Sequence, residues 1–142
     1  MPIGLPREGD RGLDGSSSWA RVYWGGALFS LLADVSLRSS TNNRLSLDVA
    51  ARAIQSAGGD TSRRWTIEQT LAAADRALGT RTLRELHAAH GRGAPRVDLA
   101  ELWRRLGVRP AGERVLLDDA AEWAHVRRAI GGVAQRELAV LD

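Results

Sequence analysis

The chain has 142 residues, enough for one domain with a hydrophobic core of its own and too few for two of ordinary size. With 44% apolar and 26% charged residues its composition is that of a soluble globular protein, and no apolar run approaches the roughly 20 residues of a membrane helix. All 20 basic residues are arginine, but 17 acidic residues are interspersed among them and the net charge is only +3, which describes solvated helix faces and argues against a nucleic-acid-binding stripe.

Residues 1–18, rich in Gly, Pro and Ser and without the charged end and apolar run of a signal peptide, read as a flexible lead-in. Val22, Leu28, Leu31, Leu32 and Val35 then recur at helical spacing and predict a first helix from about Tyr23 to Arg38. After the turn Ser40–Arg44, Ser46 is placed to cap a second helix, with Leu45 outside it to pack on Ala50 and Gly58–Gly59 to end it. Thr66 and Gln69 form a capping box for a third helix that repeats Ile67, Leu71, Ala74 and Leu78 up to Gly79. Thr82 with Glu85 predicts a cap for a short fourth helix that stops near Gly91, before a Gly91–Pro95 loop. Asp98 with Glu101 opens a fifth helix through Leu102, Trp103 and Leu106, closed by Gly107. Arg114–Leu117 suits a short strand, and Asp119 with Glu122 predicts a last helix bearing Trp123, Val126 and Ile130 and ending before Gly131–Gly132. The fold class is therefore all-α, a compact bundle of five to six short helices with one possible short strand near the C-terminus. No repeat of solenoid length recurs.

The chemistry-bearing residues are few. With no cysteine there is no disulfide, no thiolate metal site and no thiol nucleophile, and cytoplasm and periplasm both stay open as compartments. His87 and His90 are three apart and would share a helix face, but this is not the His-Glu-x-x-His spacing of a zinc protease, and polar side chains near the last carbonyls of a helix are the simpler reading. His125 stands alone as a surface or packing residue. No nucleophile elbow, phosphate loop or dinucleotide fingerprint occurs, and no metal site is assigned to this chain. Asp34 and Arg38, four apart on the first helix, fit a structural ion pair. Tyr23 and Trp24 draw notice because Gly25 and Gly26 follow them: bulky aromatics ahead of poor helix formers suggest a surface that something approaches closely.

The segment from Val22 to Ile54 resembles the helical region that follows the zinc centre in glycyl-aminopeptidase-type metallopeptidases. That family's pattern runs tyrosine, any residue, often lysine, Gly-Ala, an apolar run, aspartate, Ile/Leu-Arg, threonine and Ser-Leu-Asp. Tyr23, Gly26, Ala27, Asp34, Leu37, Arg38, Thr41, Ser46, Leu47 and Asp48 meet it in order. The stretch from Asp75 to Val108 also looks like the family's ending, a glycine before a short helix and a leucine-rich helix closing on Leu-Gly-Val. The resemblance thus marks residues 19–108 as a helical domain of the post-zinc type, with 109–142 as a C-terminal extension carrying the final helix.

In the wider thermolysin-like zinc aminopeptidases, His-Glu-x-x-His and a downstream glutamate hold the metal, and a tyrosine three residues before the glycine reaches the reacting carbonyl. By that likeness Tyr23 is the catalytic residue, donating its phenolic proton as a hydrogen bond to the oxyanion formed when zinc-bound water attacks; one such donor is typically worth about 3 kcal/mol. Trp24, Gly25 and Gly26 would line the substrate cleft. Gly25 departs from the pattern by standing where lysine is frequent, and the metal motif is absent from the sequence. The resemblance therefore implies the C-terminal part of a larger enzyme, inactive alone, whose partners are an N-terminal zinc-binding half of the same polypeptide and a peptide substrate. A non-catalytic all-α protein-interaction module gripping a partner helix through exposed tryptophans is the alternative; a nucleic-acid-binding bundle ranks last.

Overall fold

The structure is a computed structural model and describes residues 19–60, 62–91 and 97–138. The expected lead-in over 1–18 and most of the expected loop over 91–95 lie outside the described residues. Among the described residues six helices and one two-stranded antiparallel sheet follow in chain order: α1 (Trp19–Thr41), α2 (Leu47–Ser56), α3 (Ile67–Leu78), α4 (Thr82–Gly91), α5 (Leu99–Leu106), β1 (Val108–Ala111), β2 (Arg114–Leu117) and α6 (Ala124–Leu138). The all-α bundle with a short strand element is the observed architecture. No described helix is long and apolar enough to cross a membrane.

The caps explain most boundaries. The Ser46 hydroxyl accepts from Val49 N–H at the start of α2, and the Thr66–Gln69 box closes in both directions, with Thr66 N–H donating to Gln69 Oε1 at 2.8 Å and Gln69 N–H to the Thr66 hydroxyl at 3.2 Å. Gly79 ends α3 in the left-handed conformation. Asp98 caps α5 by accepting from Glu101 N–H at 2.9 Å.

At α4 the structure corrects the expected Thr82–Glu85 cap. Asp75, fully buried on α3, accepts from Leu83 N–H and Arg84 N–H at 3.1 Å each, so the free donors of the first turn of α4 are satisfied from a neighbouring helix. Thr80 Oγ1 and Arg84 Nε also donate to the same carboxylate. A buried charge is tolerated here because its lone pairs are filled.

Two clusters of buried side chains share α1. The first joins Ala33 and Leu37 of α1 to Ala50, Leu71, Ala74 and Leu83 of α2, α3 and α4; the second joins Val35 to Leu102, Leu106 and Val126 of α5 and α6. Phe29 extends the first side of α1, and Leu31 and Leu32 the second. Helix α1 is thus apolar on two sides, and the predicted stripe through Leu31, Leu32 and Val35 is only one of them. The helix also starts earlier and ends later than predicted.

The C-terminal region departs further from expectation. Residues 119–123 form turns, because Trp123 N–H donates to Arg105 O at 2.7 Å and Ala120 N–H to Asp118 Oδ1 at 3.0 Å, and α6 begins only at Ala124. Asp119, the expected cap, instead pairs with Arg127 and Arg128. Helix α6 also runs through Gly131 and Gly132, neither of which takes a positive φ; each glycine costs about 1 kcal/mol relative to alanine, which weakens a helix without stopping it.

Arg114–Leu117 is a strand as predicted, but its partner Val108–Ala111 was hidden by Pro110, a residue that argues against strand structure. The two-residue connection turns on Gly112 at φ +62 with Glu113 not in the positive region, the pattern of a type II′ hairpin. Gly107, at φ +71, is forced: a Cβ there would lie 2.2 Å from Asp118 O and 2.8 Å from Arg127 Nη1. Arg127 fills that space and donates to Leu106 O and Gly107 O, closing the end of α5 with a positive charge. Beside it the Arg105 guanidinium lies 3.5 Å from the Trp123 ring centroid and donates to Glu122, whose carboxyl this hydrogen bond holds below the ordinary glutamate range.

Candidate functional site

The amino-terminal turns of α1 carry Tyr23 and Trp24, and the way the rest of the helix is held determines where they stand. Phe29 is six residues beyond Tyr23, about 9 Å along the axis, and from there onward both clusters grip α1. Tyr23 and Trp24 precede that grip and remain 56% and 57% exposed. Their rings meet edge to face at 5.4 Å between centroids, an arrangement in which each limits the other's rotamers.

Helical phase separates the residues that follow. Trp24 continues the line of Leu28, Leu31 and Val35, so it prolongs the second apolar side past the point where α5 and α6 cover it. Tyr23 shares its side with Ala27 and Ser30, both exposed. Gly26 is also exposed, and a Cβ built on it would meet nothing within 4 Å. Gly25 is buried and lies nearly in phase with Leu32, between the sides that the two clusters cover. The structure therefore leaves Tyr23, Trp24 and Gly26 exposed on different sides of the helix and Gly25 buried.

Asp34 and Arg38 lie on the Tyr23 side of α1, but Asp34 is eleven residues beyond it, about 16 Å along the axis. They are a structural pair and a largely buried one. Arg38 Nε donates to Asp34 Oδ2 at 2.7 Å, with the side chains only 7% and 15% exposed, and Asp34 Oδ1 accepts from Leu47 N–H at 2.7 Å. Asp48 stands 3.7 Å from the same guanidinium. The pair thus pins the start of α2 to α1, a role that four-residue spacing alone does not reveal.

The histidines take no part. The His90 ring is 2.9 Å from Leu86 O through Nδ1, and His87 and His90 both meet the Phe29 ring edge to face. Because a carbonyl only accepts, Nδ1 carries the proton there. His125 contributes its backbone oxygen to Asn43 Nδ2 at 3.3 Å. Among the described residues no group of three His, Cys, Asp or Glu side chains converges on a point that a metal ion could occupy. Among the described residues the donor set does not fit a catalytic zinc. Comparison with known protein families, with curated proteins and with solved structures finds no match to this chain.

Proposed function

We propose that this chain is the C-terminal helical domain of a zinc-dependent aminopeptidase and that Tyr23 supplies a hydrogen bond to the negative charge that develops on the scissile carbonyl oxygen. The observation that carries the reading is the exposure of Tyr23 and Trp24 on a helix gripped only beyond them. A phenol on a fixed helix is preorganised, and a donor that need not reorient stabilises developing charge more than the neutral carbonyl before it. Trp24 and Gly26 would form the wall beside it, the tryptophan excluding water and the glycine leaving room for substrate backbone. The metal and its ligands would belong to a preceding half of the enzyme.

The test is a chimera in which this chain replaces the matching segment of a glycyl-aminopeptidase-type enzyme, assayed on a glycyl anilide. Tyr23→Phe is expected to lower kcat by about 10²–10³ with little change in KM or in melting temperature. A wild-type chimera no more active than its Tyr23→Phe variant would refute the reading.

The exposed Trp24 and Trp103 favour one alternative, an interaction module that grips a partner helix. It predicts quenching of tryptophan fluorescence on titration with an amphipathic helix, lost in Trp24→Ala and unaffected by Tyr23→Phe.

A further inference from the structure

The β1–β2 hairpin leaves an edge that is ready to pair. The register sets Val108 opposite Leu117, Arg109 opposite Leu116, Pro110 opposite Val115 and Ala111 opposite Arg114, and Asp118 N–H donates to Gly107 O at 2.8 Å. That last bond makes Gly107–Asp118 a hydrogen-bonded pair, and pairs alternate along an antiparallel ladder. Val108–Leu117 and Pro110–Val115 are therefore non-hydrogen-bonded pairs, whose N–H and C=O groups point away from the hairpin. On β1 the outward position Pro110 has no N–H to offer. On β2 both outward residues, Val115 and Leu117, keep donor and acceptor. No described element other than β1 packs on β2, and Val115 and Leu117 are 60% and 62% exposed.

We propose that the free edge of β2 is a self-association edge: a second copy of this chain adds its own β2 antiparallel to the first across a two-fold axis, making a four-stranded sheet. One register satisfies every outward group. With Leu116 on the axis, Val115 lies opposite the partner subunit's Leu117, and the two such pairs exchange four backbone hydrogen bonds. The same register sets Arg114 opposite the partner subunit's Asp118. Arg114 is exposed and has no ion-pair partner among the described residues; Asp118 already holds Arg109 of its own copy at 3.3 Å, so the symmetric contact sets each Asp118 carboxylate between two arginines, one from each copy. Val115, Leu117 and Pro110 of both copies then form one continuous apolar face. Sliding the pairing to centre on Val115 or Leu117 halves the hydrogen bonds and loses both charge pairs. The contact is smaller than a standard interface, so the dimer is a weak one. This inference stands apart from the peptidase reading.

Sedimentation of the 142-residue chain from about 10 μM to 1 mM is expected to show a monomer–dimer equilibrium. Leu117→Pro removes an outward N–H that the hairpin ladder does not use, and is expected to weaken the dimer at least about tenfold. Arg114→Glu, at an exposed site, is expected to weaken it about tenfold by turning attraction into repulsion. Because the chain has no cysteine, Leu116→Cys introduces one thiol, which at about 4.5 Å between Cα atoms on the axis should cross-link the copies under mild oxidant far more completely than Ser40→Cys. A monomer at 1 mM, a dimer that neither Leu117→Pro nor Arg114→Glu weakens, or a Leu116→Cys yield no higher than that of Ser40→Cys would overturn the proposal.

Discussion

Asp34 and Asp75 carry out one task at two places: each is a carboxylate on one helix that receives the free N–H groups at the start of another. Asp34 reaches Leu47 of α2 and Asp75 reaches Leu83 and Arg84 of α4. Neither can be lost cheaply. Asp34→Ala leaves the 6% exposed Arg38 without its short partner and the Leu47 N–H at the α2 start without its acceptor, an expected loss of about 3 kcal/mol in urea denaturation. Replacing Arg38 together with Asp34 by apolar residues should cost less than Asp34→Ala alone, since it is the orphaned charge that is expensive; an equal or larger loss would contradict that account. At the residue scale the sequence was partly legible. The Asp34–Arg38 spacing announced a pair, but its burial and its bond to Leu47 depend on where α2 docks. The bonds of Asp75 span eight and nine residues, beyond the three-residue interval that defines a capping box, so the local pattern points to Thr82–Glu85 instead.

Elements were most legible where local chemistry decides them. Ser46, Thr66, Gly79, Asp98 and Gly107 each cap or stop a helix as their types predict. Prediction failed where a distant group intervened: Trp123 is kept out of α6 by the Arg105 carbonyl, and β1 forms despite Pro110 because that residue's missing donor faces away from β2. Two of the left-handed helix stops, Gly79 and Gly107, separate local from tertiary demand. At Gly79 a Cβ would meet nothing within 4 Å, whereas at Gly107 it would collide with Asp118 O. Gly79→Ala is expected to cost about 1 kcal/mol for the left-handed backbone alone, and Gly107→Ala at least about 3 kcal/mol, measured as the difference in unfolding free energy. Equal effects would mean that the β2–α6 connection yields freely to make room.

At the scale of the whole molecule, two cores joined through one helix should behave as one unit. Leu37→Ala in the first and Val126→Ala in the second are each expected to remove about 2–4 kcal/mol from a single transition. The check is whether the fluorescence of a variant that keeps only Trp123, which packs on the second core, melts together with the far-ultraviolet signal of all helices. Separate midpoints would show that α1 does not couple the halves. How α1 could serve both was not visible in its sequence, because apolar residues on two sides blur the single stripe that periodicity seeks.

Such a double duty limits the freedom of α1 unevenly. From Phe29 to Arg38 nearly every direction around the helix is already committed, to one core, to the other, or to the aspartate that holds α2. Tyr23, Trp24, Gly26 and Ala27 have no such obligations. Substitutions there should leave the melting temperature almost unmoved, so that stretch is where the helix is at liberty to acquire or exchange a chemical purpose without putting its own folding at risk.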